Sequence, residues 1–315
     1  MNDSKVYRFR PVNTFTINQL ESDEIWGSKP KVFNDPYDFD FSFTLNEVEI
    51  FMKDKNISFD KFTEVFQIEQ VKDNDIYNLV YWSYQNIKTL LKETIGVACF
   101  SKNVANTMMW SHYTNQSTGF AIEYIESDLK LELDEEYDKR MIDLQKKTLL
   151  IHTKPKVKDY GLYDINYTHQ KPDITSYIIN EIDYFSVLIK ASIENNVSVY
   201  ELFNQDNYFN SVFGVDDNKF SEFLINIGVN KNIEWSYENE SRIIMAQAND
   251  RNNHFLIMKH KPSAVYLGEY ISLNDEILIS RICKRKSIPL FKMLSNPLGN
   301  LKLEAQKLDL ADVKL

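Results

Sequence analysis

Residues with the period-two alternation of strands occupy both ends of this chain, and residues with helical periodicity fill two blocks between them. Val6-Tyr7-Arg8-Phe9-Arg10 alternates apolar and basic side chains until Pro11 stops it. A helix over Phe15 to Glu24, with Thr14 or Thr16 as its cap, leads into a second short strand, Ile25 to Ser28. Near the other end, Arg242 to Gln247, Phe255 to His260, Ala264 to Leu267 and Pro289 to Met293 read as strands. In the first helical block Ile76, Val80, Ile87 and Leu91 share one face, and Ser58 can cap a helix carrying Phe62, Val65 and Phe66. In the second, Ile178, Ile182, Phe185, Ile189 and Ile193 line up until Asn195-Asn196. Thr94 to Phe100 and Gly119 to Ile125 are strands around a helical turn over Asn106 to Tyr113. Asp128 to Lys147 is a charge-dense, solvated helix, and Tyr163 to Thr168 is a short strand. Strands and helices do not alternate regularly, which disfavours a doubly wound parallel sheet. The expectation is one α+β domain over residues 1–315 with helical insertions at approximately 45–94 and 172–232.

The chain's 315 residues can bury a core without staples. Its two cysteines, Cys99 and Cys283, lie in apolar runs and read as buried thiols of a reducing cytoplasm. With 46 acidic against 36 basic residues, the net charge of −10 repels phosphate backbones and argues against non-specific nucleic-acid binding. Lys284-Arg285-Lys286 reads as a solvated turn. No apolar run is long enough to span a bilayer, and Met1 to Arg10 lacks a signal-peptide core, so a cytoplasmic chain without a membrane partner is expected. Gly-rich phosphate loops, Cys-x-x-Cys, His-Glu-x-x-His and Gly-x-Ser-x-Gly are all missing. The five histidines are scattered, and no metal site is expected.

Three constellations can carry chemistry. Arg8 and Arg10 share a strand face; either they form a solvated edge or they grip a phosphate or ribose. Met109-Trp110-Ser111-His112-Tyr113 is either a packed aromatic corner or a cage for a planar ring. Trp235-Ser236-Tyr237-Glu238-Asn239-Glu240-Ser241-Arg242 leads into an apolar strand. If all of it is strand, Glu238, Glu240 and Arg242 share a side, as a structural Glu–Arg pair or as a catalytic carboxylate kept ionised by arginine. Asn34-Asp35-Pro36 is a turn that can present a polar side chain to a cleft.

These residues resemble the landmarks of a bacterial family, domain of unknown function twenty-nine seventy-one. They are Tyr7 to Arg10, Phe33 to Asp38, Cys99 to Ser101, Met109 to Tyr113, Gly119 to Tyr124, Trp235 to Arg242 and Val265 to Gly268. The opening is also similar to that of ADP-ribosyltransferase folds. That resemblance implies a split, mostly antiparallel sheet that clamps NAD, as substrate, in its cleft. It assigns Arg8 to the strand-one place, Ser28 to the strand-two place and Glu240 to the late catalytic Glu, with Glu238 as the first Glu of a Glu-x-Glu pair. It implies further that Arg8 holds the ribose or pyrophosphate, and that Tyr7 and Asn34 belong to the cofactor-binding set. Trp110, Tyr113 and Tyr37 are candidates to stack on nicotinamide, and His112 orients the acceptor or acts as acid/base. The implied activity is an ADP-ribosyltransferase or NAD glycohydrolase, an effector of phage defence or of a toxin system. Its acceptor is a protein, a nucleic-acid base or water. The alternatives are a non-catalytic nucleotide-binding sensor with a degenerate cleft, and a metal-dependent nuclease using His112 with Asp35, Asp38 and Glu residues. The helical insertions are candidates for a lid, a partner-docking surface or a homo-oligomer face.

Overall fold

The computed structural model describes residues 4–135, 160–213, 217–245, 253–296 and 302–311. Its strands are β1 (Lys5–Arg10), β2 (Glu24–Ser28), β3 (Gly96–Ser101), β4 (Phe120–Ile125), β5 (Tyr160–Asp164), β6 (Asn166–Thr168), β7 (Asn230–Asn232), β8 (Glu240–Met245), β9 (His254–Lys259), β10 (Ala264–Leu267), β11 (Leu290–Ser295) and β12 (Leu303–Lys307). Ten of them form one open sheet in the order β12-β11-β10-β4-β1-β3-β2-β9, with β8 pairing β3 and β5. All its pairings are antiparallel except β10 with β11. β6 and β7 form a separate parallel pair.

The helices are α1 (Thr14–Glu21), α2 (Leu45–Asp54), α3 (Phe59–Phe66), α4 (Asp75–Thr94), α5 (Thr107–Tyr113), α6 (126–135), α7 (Thr175–Asn195), α8 (Val199–Leu202), α9 (Gln205–Phe213), α10 (Asp217–Val229) and α11 (Leu273–Lys286). The mixed α+β class and the positions of the two helical blocks agree with the periodicity. Several local expectations need correction. Asn13, not a threonine, caps α1: its side chain accepts from Thr16 N at 2.9 Å while the Thr16 hydroxyl closes the capping box. Lys284 to Lys286 form the last turn of α11, where cations suit the helix C-terminus, and Lys286 pairs with Asp23 at 2.6 Å. α6 is not simply a solvated face, because Leu129 and Leu133 are buried; residues 136–147 of that expected helix lie outside the described residues.

β3 organises the sheet. One of its edges pairs along its whole length with β8, from Gly96 opposite Met245 to Ser101 opposite Glu240. The other edge is shared: β1 meets it at Tyr7–Ser101, and β2 meets it at Ser28–Val97. β1 and β2 therefore diverge like the arms of a fork. Cross-strand partners project to the same side. Val6, Ala98, Phe100, Ile243 and Met245 pack on one face under α1, α6 and α11, through Leu20, Leu129 and Ile279. The opposite face carries two apolar clusters. One holds Val97 and Ile244 against the helical blocks, and the other holds Tyr7, Phe9, Met109 and Trp110 around α5.

Candidate functional site

The two clusters on that second face leave a cleft of about 370 Å3 between them. Tyr7, Phe9 and Met109 wall it on one side and Val97 and Phe33 on the other. Its floor comes from alternate positions of adjoining strands, Cys99 and Ser101 of β3 and Glu240 and Arg242 of β8. Arg8, Ser28, His112 and Glu240 all line this one cavity, although 232 positions separate the first from the last.

A dense charge cluster fills the floor. Arg242 is fully buried, with Nε donating to Glu240 at 2.8 Å, Nη1 and Nη2 to Asp38 at 2.9 and 2.6 Å, and Nη1 also to the Gly228 carbonyl at 2.9 Å. Lys231 Nζ donates to Glu238 at 2.6 Å and to Glu240 at 3.0 Å. Tyr113 donates its hydroxyl to Glu238 at 2.5 Å, and Asn34 donates to that hydroxyl at 3.3 Å. Burial works against the Glu240 charge, but Arg242 and then Lys231 outweigh it and hold the carboxyl at about 2. Burial pushes Glu238 the other way: its pKa is raised, with the Glu240 charge adding to the shift and Lys231 and Tyr113 opposing it. Three carboxylates face two cations here, so Glu238 is the member whose protonation makes the cluster neutral. Cys283 is buried as expected, but Cys99 is half-buried in the cleft wall, and burial, with the Glu240 charge adding to it, raises its thiol well above the ordinary range.

The condition that all of 235–242 is strand is not met. Ile233–Glu238 is a 3-10 helix, Asn239 turns the chain at φ 44°, and the strand starts at Glu240. Both carboxylates nonetheless meet Lys231. Arg8 faces away from this pair. It follows Tyr7 on β1, and Tyr7, Ser101 and Glu240 share a face by register, so Arg8 projects from the other. Its guanidinium donates to the Trp26 carbonyl across the fork and stands 5.8 Å over the Phe100 ring. Burial and the neighbouring Arg10 both disfavour its charge. Trp110 is no cage residue either: it is completely buried, donates to the Val104 carbonyl at 2.6 Å and packs edge-on to Phe9. Tyr37 is exposed and lines a separate depression beside Asp40 and Lys171. Tyr113, Tyr7 and Asn34 do line the cleft, and exposed His112 sits at its rim with Nδ1 3.4 Å from the Tyr237 hydroxyl.

Sequence reasoning passed over Lys231, whose place on the short strand β7 has no local signal, and named Asp38 as a family landmark and a metal ligand of the nuclease alternative, not as the partner of Arg242. Among the described residues no group of three His, Cys, Asp or Glu side chains could hold a metal ion, and Asp38 is committed to Arg242. No helix of the described residues is long and apolar enough to cross a membrane.

Residues 109–243 match the model of a family described as "Protein of unknown function (DUF2971)". The matched segment runs from α5 through the second helical block to β8 and contains His112, Tyr113, Lys231, Glu238, Glu240 and Arg242. No curated protein and no solved structure matches the chain.

Proposed function

We propose that this chain, similar over residues 109–243 to the DUF2971 family, is an NAD-consuming glycosyl-transfer enzyme, an ADP-ribosyltransferase or NAD glycohydrolase. The observation that carries this reading is the pair of buried carboxylates in one cleft, Glu238 and Glu240, bridged by one ammonium and pushed to opposite protonation tendencies.

In such a reaction the bond between ribose C1′ and the nicotinamide nitrogen breaks. The electron pair leaves with neutral nicotinamide, and positive charge builds on the ribose. The acceptor's oxygen or nitrogen then bonds to C1′ and gives up its proton. Negative charge fixed beside the ribose favours that transition state. Glu240 supplies a permanent anion, but its oxygens are taken by Arg242 and Lys231. Ionised Glu238, held among the described residues only by Lys231 and Tyr113, is the carboxylate left to meet a ribose hydroxyl. Tyr113 offers ring surface to the departing nicotinamide, and His112 stands at the mouth to take the acceptor's proton.

Nicotinamide release from NAD tests the reading. Glu238→Gln should lower release by roughly 100-fold or more while leaving NAD binding intact. In the unaltered protein, release should rise with pH as Glu238 ionises, because its folded pKa is raised. Full activity in Glu238→Gln would remove the proposed catalyst. The closed ion pairing of Glu240 favours a second reading, a nucleotide-binding sensor; NAD binding by calorimetry without any nicotinamide release would select it.

A further inference from the structure

A second cavity, of about 320 Å3, opens at the fork and shares Arg10 and Ser28 with the main cleft. Phe15, Trp26 and His254 are among its lining residues. Phe15 is 44% exposed although its ring stands edge-on to Trp26 at 5.3 Å and lies 6.3 Å from the His254 ring. His254 Nδ1 is 2.8 Å from the Ser28 hydroxyl, which ties the cavity's outer wall to the shared position.

Arg10 is the unusual member. A guanidinium stays charged, and one enclosed by protein is costly unless an anion meets it. None of the ion pairs among the described residues includes Arg10; its Nη2 donates to Gln19 at 3.2 Å, and its buried Nε meets no acceptor. Burial lowers its pKa, in keeping with a cation that lacks a counter-charge. A cation without a counter-charge among the described residues, beside the exposed ring of Phe15 and the half-buried ring of Trp26, selects a ligand with an anionic group and a planar ring.

The geometry points to a nucleoside monophosphate group as the occupant: its phosphate on Arg10, and its base against Phe15 and Trp26. This rests on the dinucleotide reading above and deepens it. The adenylate half occupies this cavity, the nicotinamide riboside half occupies the main cleft, and the two join where Arg10 and Ser28 line both.

Calorimetry on the full chain with AMP, inorganic phosphate and nicotinamide mononucleotide as probes tests the proposal. AMP should bind more tightly than inorganic phosphate, and Phe15→Ala should weaken AMP by about tenfold or more. Phe15 is exposed enough for that variant to keep its fold, which the thermal midpoint checks. Arg10→Gln should weaken AMP and abolish phosphate binding. No AMP binding at millimolar concentration, AMP no tighter than phosphate, or AMP binding indifferent to Phe15→Ala would each overturn the site. AMP binding that depends on Phe15 in a protein that releases no nicotinamide leaves this site standing and fails the transferase reading alone.

Discussion

Arg242 is the charge around which the candidate site is assembled. All of its guanidinium nitrogens are spent on Asp38, Glu240 and the Gly228 carbonyl, so it holds together a loop, a strand and the end of a helix. Its value is asymmetric. A buried pair adds little over a well-packed apolar replacement, but removing one partner strands the other. Arg242→Met leaves Asp38 and Glu240 buried with, among the described residues, Lys231 as their one remaining cation, and should cost about 3–5 kcal/mol in urea denaturation. A loss below about 1 kcal/mol would mean that water already screens the pair. The pairing of Arg242 with Glu240 was legible because the two residues are two apart on one strand. Lys231 was not: a single lysine acquires meaning only when residues 38, 238 and 240 arrive around it, and no local spacing encodes that meeting. The direction of Arg8 was legible in principle, since strand parity sets Arg8 opposite Tyr7. The face that holds the cleft was not, because it depends on the register of β1 with β3.

At the level of elements, local chemistry explains most of what the sequence made readable. Tandem apolar positions gave α4 and α7, and alternation gave β1. The 3-10 segment Ile233–Glu238 was missed because its aromatic and acidic alternation imitates a strand, and only the positive φ of Asn239 separates it from β8. The turn after α5 was also hidden. Asn115, Gln116 and Ser117 all adopt positive φ, a conformation that composition alone does not announce outside glycine. That turn delivers Gly119 against β1, where an added Cβ would stand 2.1 Å from the Arg10 carbonyl oxygen. Backbone cannot yield as a side-chain tip can, so the arm of β1 that carries Arg10 has to move. Gly119→Ala should therefore destabilise the protein by about 2 kcal/mol or more in urea denaturation. An unchanged midpoint would show that the β1 arm is freer than its pairing with β4 implies.

Across the whole molecule, the two helical blocks do not stand apart from the sheet. Their side chains form one cluster, which runs from Met52 and Leu79 through Ile182 to Val97 and Ile244 on the sheet itself. Deep in this layer lies Glu181 of α7, fully buried and hydrogen-bonded to Ser83 of α4 and to Tyr208 of α9, the latter at 2.6 Å. Burial raises its carboxyl from the ordinary 4.5 to about 7, against the opposing effect of those hydrogen bonds. The folded state thus holds this proton more tightly than the unfolded chain does. The stability it contributes is fully present below about pH 4.5 and is lost as pH rises through about 7. Glu181→Gln keeps the shape and removes the titration, so its advantage over the parent should be near zero at low pH and grow to on the order of 3 kcal/mol above neutrality. Because the cluster is continuous with the sheet, the gain should be read equally by Trp82 on α4 and by Trp110 beneath β1. Versions of both proteins that keep Trp82 alone or Trp110 alone, with the other three of the four tryptophans replaced by Phe, separate the two reporters in fluorescence. Coincident shifts make the helical layer and the sheet one cooperative unit, whereas a shift confined to Trp82 would make the helical layer a separately melting body and leave the cleft beneath it independent of Glu181.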